Sequence, residues 1–172
     1  MPLEGKRVLI VIAPYDFNDR QLAIISSTLS KAGLQLTVVN STGQAAKGEQ
    51  GNIVTPHSSF YHVESRDFDA IIFIGGAGSS VYRHNRRALQ LVHEFFAAGK
   101  PVAAIELAPP ILAAAHILRG RRATARPTER DDINAFGLYT GAPVEVDGNI
   151  ITAQSTAHAA EFAVAILNAL RH

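Results

Sequence analysis

Three stretches of this chain are apolar without alternation: Arg7–Ala13 (RVLIVIA), Phe68–Ile74 (FDAIIFI) and Pro101–Ile105 (PVAAI). A strand with one wet face alternates apolar and polar residues. An unbroken, β-branched run instead marks a strand covered on both faces, which is the situation of strands in parallel sheets. Each run gives way to a polar or glycine-rich turn and then to helical spacing. After the first, Asn18 or Asp19 is placed to cap a helix carrying Leu22, Ile25, Leu29 and Ala32, and Gly33 stops it. Leu34–Asn40 (LQLTVVN) then returns as a strand, completing one βαβ unit. After the second run come Gly75-Gly76-Ala77-Gly78 and a helix from about Asn85 to Ala98, closed by Gly99. After the third comes Glu106, with a helix opening at Pro109 and stopping near Gly120.

The remainder of the chain continues the alternation. It predicts a short strand at Arg122–Ala125, a short helix near Glu129–Ala135, strands at Val144–Val146 and Asn149–Ala153 about a turn at Asp147-Gly148, and a final helix at Ala157–Leu170. The segment Ser41–Val54, rich in Gly, Gln, Ser and Ala, reads as a loop or small hairpin, so residues 1–172 are expected to form one domain. The fold class expected is α/β, an open and mostly parallel sheet with helices on both faces. Sites in such sheets lie beyond the carboxyl ends of the strands. Asn18 to Gln21, Gly75 to Gly78, Glu106 and Arg126 all fall there.

Composition narrows the function. With 47% hydrophobic and 18% charged residues, the chain is built to pack a core. Sixteen Lys and Arg against fifteen Asp and Glu leave a net charge of +1, which argues against a nucleic-acid or anionic-membrane partner. The longest apolar run, Val8–Ala13, is far short of the roughly 20 residues of a membrane span, and no signal-peptide pattern opens the chain, so a cytoplasmic location is expected. There is no cysteine, which removes disulfides, cysteine-ligated metals and thiol nucleophiles together. The histidines at 57, 62, 84, 93, 116, 158 and 172 form no HxH or HxxxH pair, and no metal is expected. Gly75–Gly78 lacks the full GxGxxG of a dinucleotide loop, and no cofactor is expected.

The segment Lys100–Thr124 (KPVAAIELAPPILAAAHILRGRRAT), the FDAIIFIGGAG turn, RDDINAFG and the C-terminal VDGNIITAQSTAHAAEFAVAILNAL together resemble the ThiJ/PfpI family, which includes deglycases and PfpI-type proteases. That resemblance implies a flavodoxin-like, three-layer αβα sandwich of the class I glutamine amidotransferase-like kind. It also implies a homodimer formed through the first helix and the glycine-turn region. In the family a cysteine occupies the strand-to-helix elbow, commonly followed by His or Ala, then Gly and Pro. Here those positions read Glu106-Leu107-Ala108-Pro109. The family's helix glutamate corresponds to Gln21, and the histidine of its Thr-x-His-Pro stretch to Arg126, which precedes Pro127. Cys, Glu and His are thus exchanged as a set for Glu, Gln and Arg, with Leu107 in the usual place of the histidine after the elbow. The backbone N–H groups of Gly75, Gly76 and Leu107 are expected to face the elbow side chain, as the family's oxyanion hole does, with Asn18 in support.

A carboxylate cannot form the hemithioacetal or thioester on which thiol chemistry depends. Two readings follow. In one, the chain is a binding, stress-response or regulatory module, with Glu106 standing permanently for the acid that an elbow cysteine becomes on oxidation. In the other, Glu106 is a general base acting on a small carbonyl compound. A small-molecule ligand near Glu106 suits either, and a holdase role stays open beside them. An open cleft around Glu106 favours the base; a carboxylate enclosed by Gln21, Arg126 and apolar neighbours favours the anion.

Overall fold

The computed structural model describes residues 2–171; Met1 and His172, one of the seven histidines above, lie outside them. In chain order the elements are β1 (Arg7–Val11), α1 (Asp19–Lys31), β2 (Gln35–Asn40), β3 (Ala46–Lys47), β4 (Ile53–Val54), β5 (Ser58–Ser59) and β6 (Ala70–Phe73). There follow α2 (Arg86–Ala97), β7 (Val102–Ile105), α3 (Pro109–Ala114), β8 (Arg122–Ala123), α4 (Arg130–Asn134), β9 (Leu138–Tyr139), β10 (Val144–Asp147), β11 (Ile150–Ala153) and α5 (Ala159–Leu170).

Seven strands form one sheet in the order β10-β11-β7-β6-β1-β2-β5. Every pairing is parallel except β10 with β11. The fold is α/β, as the alternation of apolar runs and helical segments implies, and of the flavodoxin-like kind that the resemblance implies. Successive side chains of a strand point to opposite faces. Val8 and Ile10 therefore join Ile72, Ala103 and Ile151 in a core under α1 and α5, while Leu9 and Val11 join Ile71, Phe73 and Val102 under α2 and α3. With both faces covered, an alternating strand would bury polar groups, and the runs are apolar throughout for that reason.

Local chemistry sets the helix ends. The Asn18 side chain accepts the Gln21 N–H at 2.9 Å and caps α1, and Asn85 caps α2 by accepting the Ala88 N–H at 2.9 Å. The Ser41–Val54 segment does contain a hairpin, β3 against β4. The structure departs from the sequence reading in several places. The strand expected over Arg122–Ala125 is only Arg122–Ala123, paired in parallel with β9. The strands at Ser58–Ser59 and Leu138–Tyr139 were not anticipated, because two residues cannot display an alternation. Ala77–His84 is an eight-residue 3-10 segment, whose threefold winding leaves no 3.6-residue signature.

From β1 the chain crosses through α1 to β2 on one side, and from β6 through α2 to β7 on the other. The carboxyl ends of β1 and β6 thus flank the place where strand order reverses, and the turns after β1, β6 and β7 converge there.

Candidate functional site

Glu106 is the first residue beyond β7 and has φ +63°, in the left-handed region that a side chain with a Cβ enters at a cost of roughly 1–2 kcal/mol. Two backbone hydrogen bonds hold it there: its N–H donates to the Ala153 carbonyl at 2.9 Å, and its own carbonyl accepts the Arg126 N–H at 2.9 Å. The elbow turns the carboxylate toward the end of β6, leaving its side chain 12% exposed. Its Oε1 accepts the Gly76 N–H at 2.9 Å and the Gln21 amide at 3.3 Å. Its Oε2 lies 3.6 Å from Nη1 of Arg126, whose side chain is 53% exposed, and accepts no hydrogen bond among the described residues.

Gln21 is fully buried on the first turn of α1. Its Oε1 accepts the Gly75 N–H at 2.8 Å, and its Nε2 donates to Glu106 and to Oγ1 of Thr156 at 3.1 Å. A position that must accept on one side and donate on the other suits an amide; an ionised carboxylate only accepts. The glycines are required by space as well as by hydrogen bonding. A Cβ on Gly75 would stand 2.5 Å from Glu106 Oε1 and 2.7 Å from Gln21 Oε1, and Gly76 has φ +101° with the Asp16 carbonyl 2.5 Å from where its Cβ would be.

Glu106, Gln21, Gly75, Gly76 and Arg126 therefore meet. Two of the expected participants do not join them. The Leu107 N–H makes no hydrogen bond to the Glu106 carboxylate among the described residues, because the elbow aims the side chain across to the β6 turn and away from the N-terminus of α3. Asn18 touches Gln21 through the helix cap and sends its Nδ2 to Oε1 of Glu49 at 3.5 Å, with no bond to Glu106. Thr156 was missed. It sits just past β11, and the rule that sites gather beyond strand ends, applied to Ile150–Ala153, would have found it. Two arginines outside the site are engaged: Arg83 pairs with Glu129, and Arg87 donates to the Phe60 and Val63 carbonyls.

A second acid stands at the start of the same helix. Asp19 accepts the Gln50 N–H on Oδ1 at 3.1 Å, and on Oδ2 the Asn52 N–H at 3.0 Å and Asn52 Nδ2 at 2.8 Å. Burial alone would raise its carboxyl; these donors outweigh burial and hold it below the usual aspartate value. On the far side of β1, burial pushes the Tyr82 hydroxyl up to about 12; it donates to the Ile12 carbonyl at 2.7 Å and accepts the Ser41 N–H at 3.0 Å. Among the described residues no three His, Asp or Glu side chains gather as a metal site would require, and no helix is long and apolar enough to cross a membrane.

Comparison with known proteins agrees with this architecture. The model of the DJ-1/PfpI family matches residues 6–169. A Pyrococcus abyssi protein named a deglycase is 36% identical over 149 residues, covering 86% of this chain and 89% of its own length. General stress protein 18 of Bacillus subtilis is 35% identical over 135 residues, covering 77% of this chain and 78% of its own. The crystal structure of a ThiJ/PfpI domain protein from Brachyspira murdochii superposes with a TM-score of 0.94 at 25% identity, covering 98% of both chains.

Proposed function

This chain belongs to the DJ-1/PfpI family, and we propose that within it the protein works without thiol chemistry, as a binding or regulatory module of the stress response built around the Glu106 anion. One observation carries the reading. The donors that face the elbow from β6 and α1, the Gly76 N–H and the Gln21 amide, both terminate on Oε1 of Glu106, in a chain that has no cysteine. A carboxylate so held has the charge and the two acceptor oxygens of a sulfinate, the form an elbow thiol takes on oxidation. The enclosure by Gln21, with only 12% of the Glu106 side chain exposed, suits a fixed anion better than a base that must meet its substrate. The stress-response element draws on the similarity to General stress protein 18. A cytoplasmic homodimer, contacting through α1 and the turn after β6, belongs to the same proposal, and light scattering giving a mass of about twice 18.4 kDa is its check.

A second reading has one observation in its favour. Glu106 Oε2 accepts no hydrogen bond among the described residues and faces a half-exposed cation, so it is the oxygen a small carbonyl compound with an acidic proton would reach. One set of assays separates the two. Purified protein is expected to show no glyoxalase, deglycase or thiol-peptidase activity above background, and Glu106→Cys to gain little, because Gln21 and Leu107 leave a thiol without acid or base partners. Robust turnover of methylglyoxal by the parent would overturn the first reading. Turnover abolished by Glu106→Gln would establish the second.

A further inference from the structure

Two separate segments face the two oxygens of the elbow carboxylate, and one ion pair outside the site ties those segments to each other. Gly76, whose N–H holds Oε1, opens the 3-10 segment Ala77–His84, and Arg83 stands near its far end. Arg126, which faces Oε2 and donates its N–H to the Glu106 carbonyl, opens the 3-10 turn Pro127–Glu129, whose last N–H donates back to the Arg126 carbonyl at 2.8 Å. Arg83 Nη2 meets Glu129 Oε1 at 2.6 Å, with side chains 22% and 15% exposed, while its Nη1 reaches the more exposed Asp132 at 3.2 Å. The contacts close a ring: Glu106, Gly76, Arg83, Glu129, Arg126 and Glu106 again.

We propose that the Arg83–Glu129 pair is the clasp of this ring, making Arg83 a positioning residue that sets how closely the Arg126 turn lies over Glu106. The pair is largely withdrawn from water, and Arg83 Nε is buried with no hydrogen-bond partner among the described residues, so the arginine is held in place by its carboxylates at the expense of one unsatisfied N–H. The Pro127–Glu129 turn is only three residues long, too short to fix itself independently. The Arg83 end of the first segment is anchored in the core by its neighbour Tyr82, whose buried hydroxyl donates to the Ile12 carbonyl, so Arg83 is a fixed point against which the Pro127–Glu129 turn is held. The inference concerns the geometry of the site and stands apart from whether Glu106 binds a ligand or takes a proton.

Hydrogen exchange followed by NMR, with phenylglyoxal modification of Arg126 followed by mass spectrometry, tests it in Glu129→Gln, Arg83→Met and Arg83→Lys. In the first two, exchange of the Arg126 N–H should accelerate about tenfold or more and modification of Arg126 several-fold, while Ile10 and Ile72 in the sheet change less than about twofold. Arg83→Lys, which keeps the charge, should recover part of the protection, and Asp132→Asn, on the exposed arm, should leave Arg126 as it is. Unchanged protection of Arg126 in both Glu129→Gln and Arg83→Met would overturn the proposal. So would equal acceleration of sheet and turn amides, which would make the pair a source of general stability.

Discussion

Asp19 and Glu106 are two acids beyond the carboxyl ends of β1 and β7, which flank β6, both withdrawn from water, and they are held in opposite ways. Asp19 has both oxygens occupied by three N–H donors of the 50–52 segment, so it serves as a cross-link between α1 and that loop. Among the described residues, Glu106 has two donors on one oxygen and, on the other, only an arginine 3.6 Å away. A buried acid with all its acceptor capacity satisfied by its own chain is structural, since nothing else can bind it without displacing a donor. One with an oxygen left over at the edge of a strand-end crevice is positioned to meet something outside the chain. The difference between the two is thus a difference in unused hydrogen-bonding capacity and not in burial or charge.

The change with the largest expected effect converts the Glu106 pocket from one acid to two. Gln21→Glu removes the Nε2 donor and sets a second carboxylate against the first; at a separation of about 4 Å and an effective dielectric of about 20, the repulsion is about 4 kcal/mol. The pair escapes by sharing a proton, so the folded state binds a proton that the unfolded chain releases. The newly made acid therefore has a folded pKa above its unfolded value, and stability is lost as pH rises through that folded pKa and regained as pH falls. Thermal melts between about pH 5 and about pH 8 should show Gln21→Glu well below the parent at the upper end and closer to it at the lower. The double change Gln21→Glu with Glu106→Gln should recover much of the loss. Equal stability of Gln21→Glu and parent across the range would mean that the two side chains do not meet.

Asp19 should behave as a cross-link does. Asp19→Asn places an amide N–H among donors that need an acceptor, at an expected cost of about 2 kcal/mol, together with faster exchange at Gln50 and Asn52. The sign of its pH dependence is opposite to that of the Gln21→Glu pocket. Because the folded carboxyl titrates below the ordinary aspartate value of 3.8, its stabilisation is complete above that pH and is lost as pH falls through the lower, folded value. The acid limb of the parent's stability curve should therefore be steeper than that of Asp19→Asn, and identical limbs would show that the loop does not depend on this carboxylate.

What the sequence disclosed and what it hid divide along the same physical line. The sheet was legible because strands buried on both faces must be apolar throughout, and Val8–Val11, Ala70–Phe73 and Val102–Ile105 are. The Glu106–Gln21–Gly76 contact was legible because each residue sits immediately past a strand or on the first turn of the helix after one. The hydrogen bonds of Asp19 were not, since its donors lie 31 and 33 residues away in a loop without periodicity. Neither was the Arg83–Glu129 clasp, which joins two 3-10 segments whose winding leaves no mark in the spacing of apolar residues. The resemblance places the Leu107 N–H at the carboxylate, whereas a φ of +63° at Glu106 turns the side chain to the Gly76 N–H instead.

Tyr82 sharpens the contrast with an uncharged case, a polar group whose donor and acceptor are both engaged. Tyr82→Phe leaves the Ile12 carbonyl and the Ser41 N–H without their partner, and should cost about 1–2 kcal/mol at neutral pH. With the hydroxyl raised from 10.0 to about 12, the stabilisation is whole below pH 10 and is lost as pH rises toward 12, because the unfolded chain gives up its proton first. An alkaline limb that is the same in parent and variant would remove Tyr82 from the account.

The smallest effect belongs to Arg126, and its smallness is the most direct test of the open oxygen. Its guanidinium is half exposed, makes no hydrogen bond to Glu106 and faces it across 3.6 Å, so screening by water reduces the attraction to the range of surface pairs. Arg126→Met should change stability by less than about 1 kcal/mol, because the methionine leaves the backbone bond to the Glu106 carbonyl and the two donors on Oε1 in place. The same substitution should abolish whatever ligand recognition depends on a cation beside a free carboxylate oxygen. A loss as large as that of Asp19→Asn would mean that Arg126 closes Oε2 as firmly as the 50–52 segment closes Asp19, and the two acids would then be alike in the property that separates them.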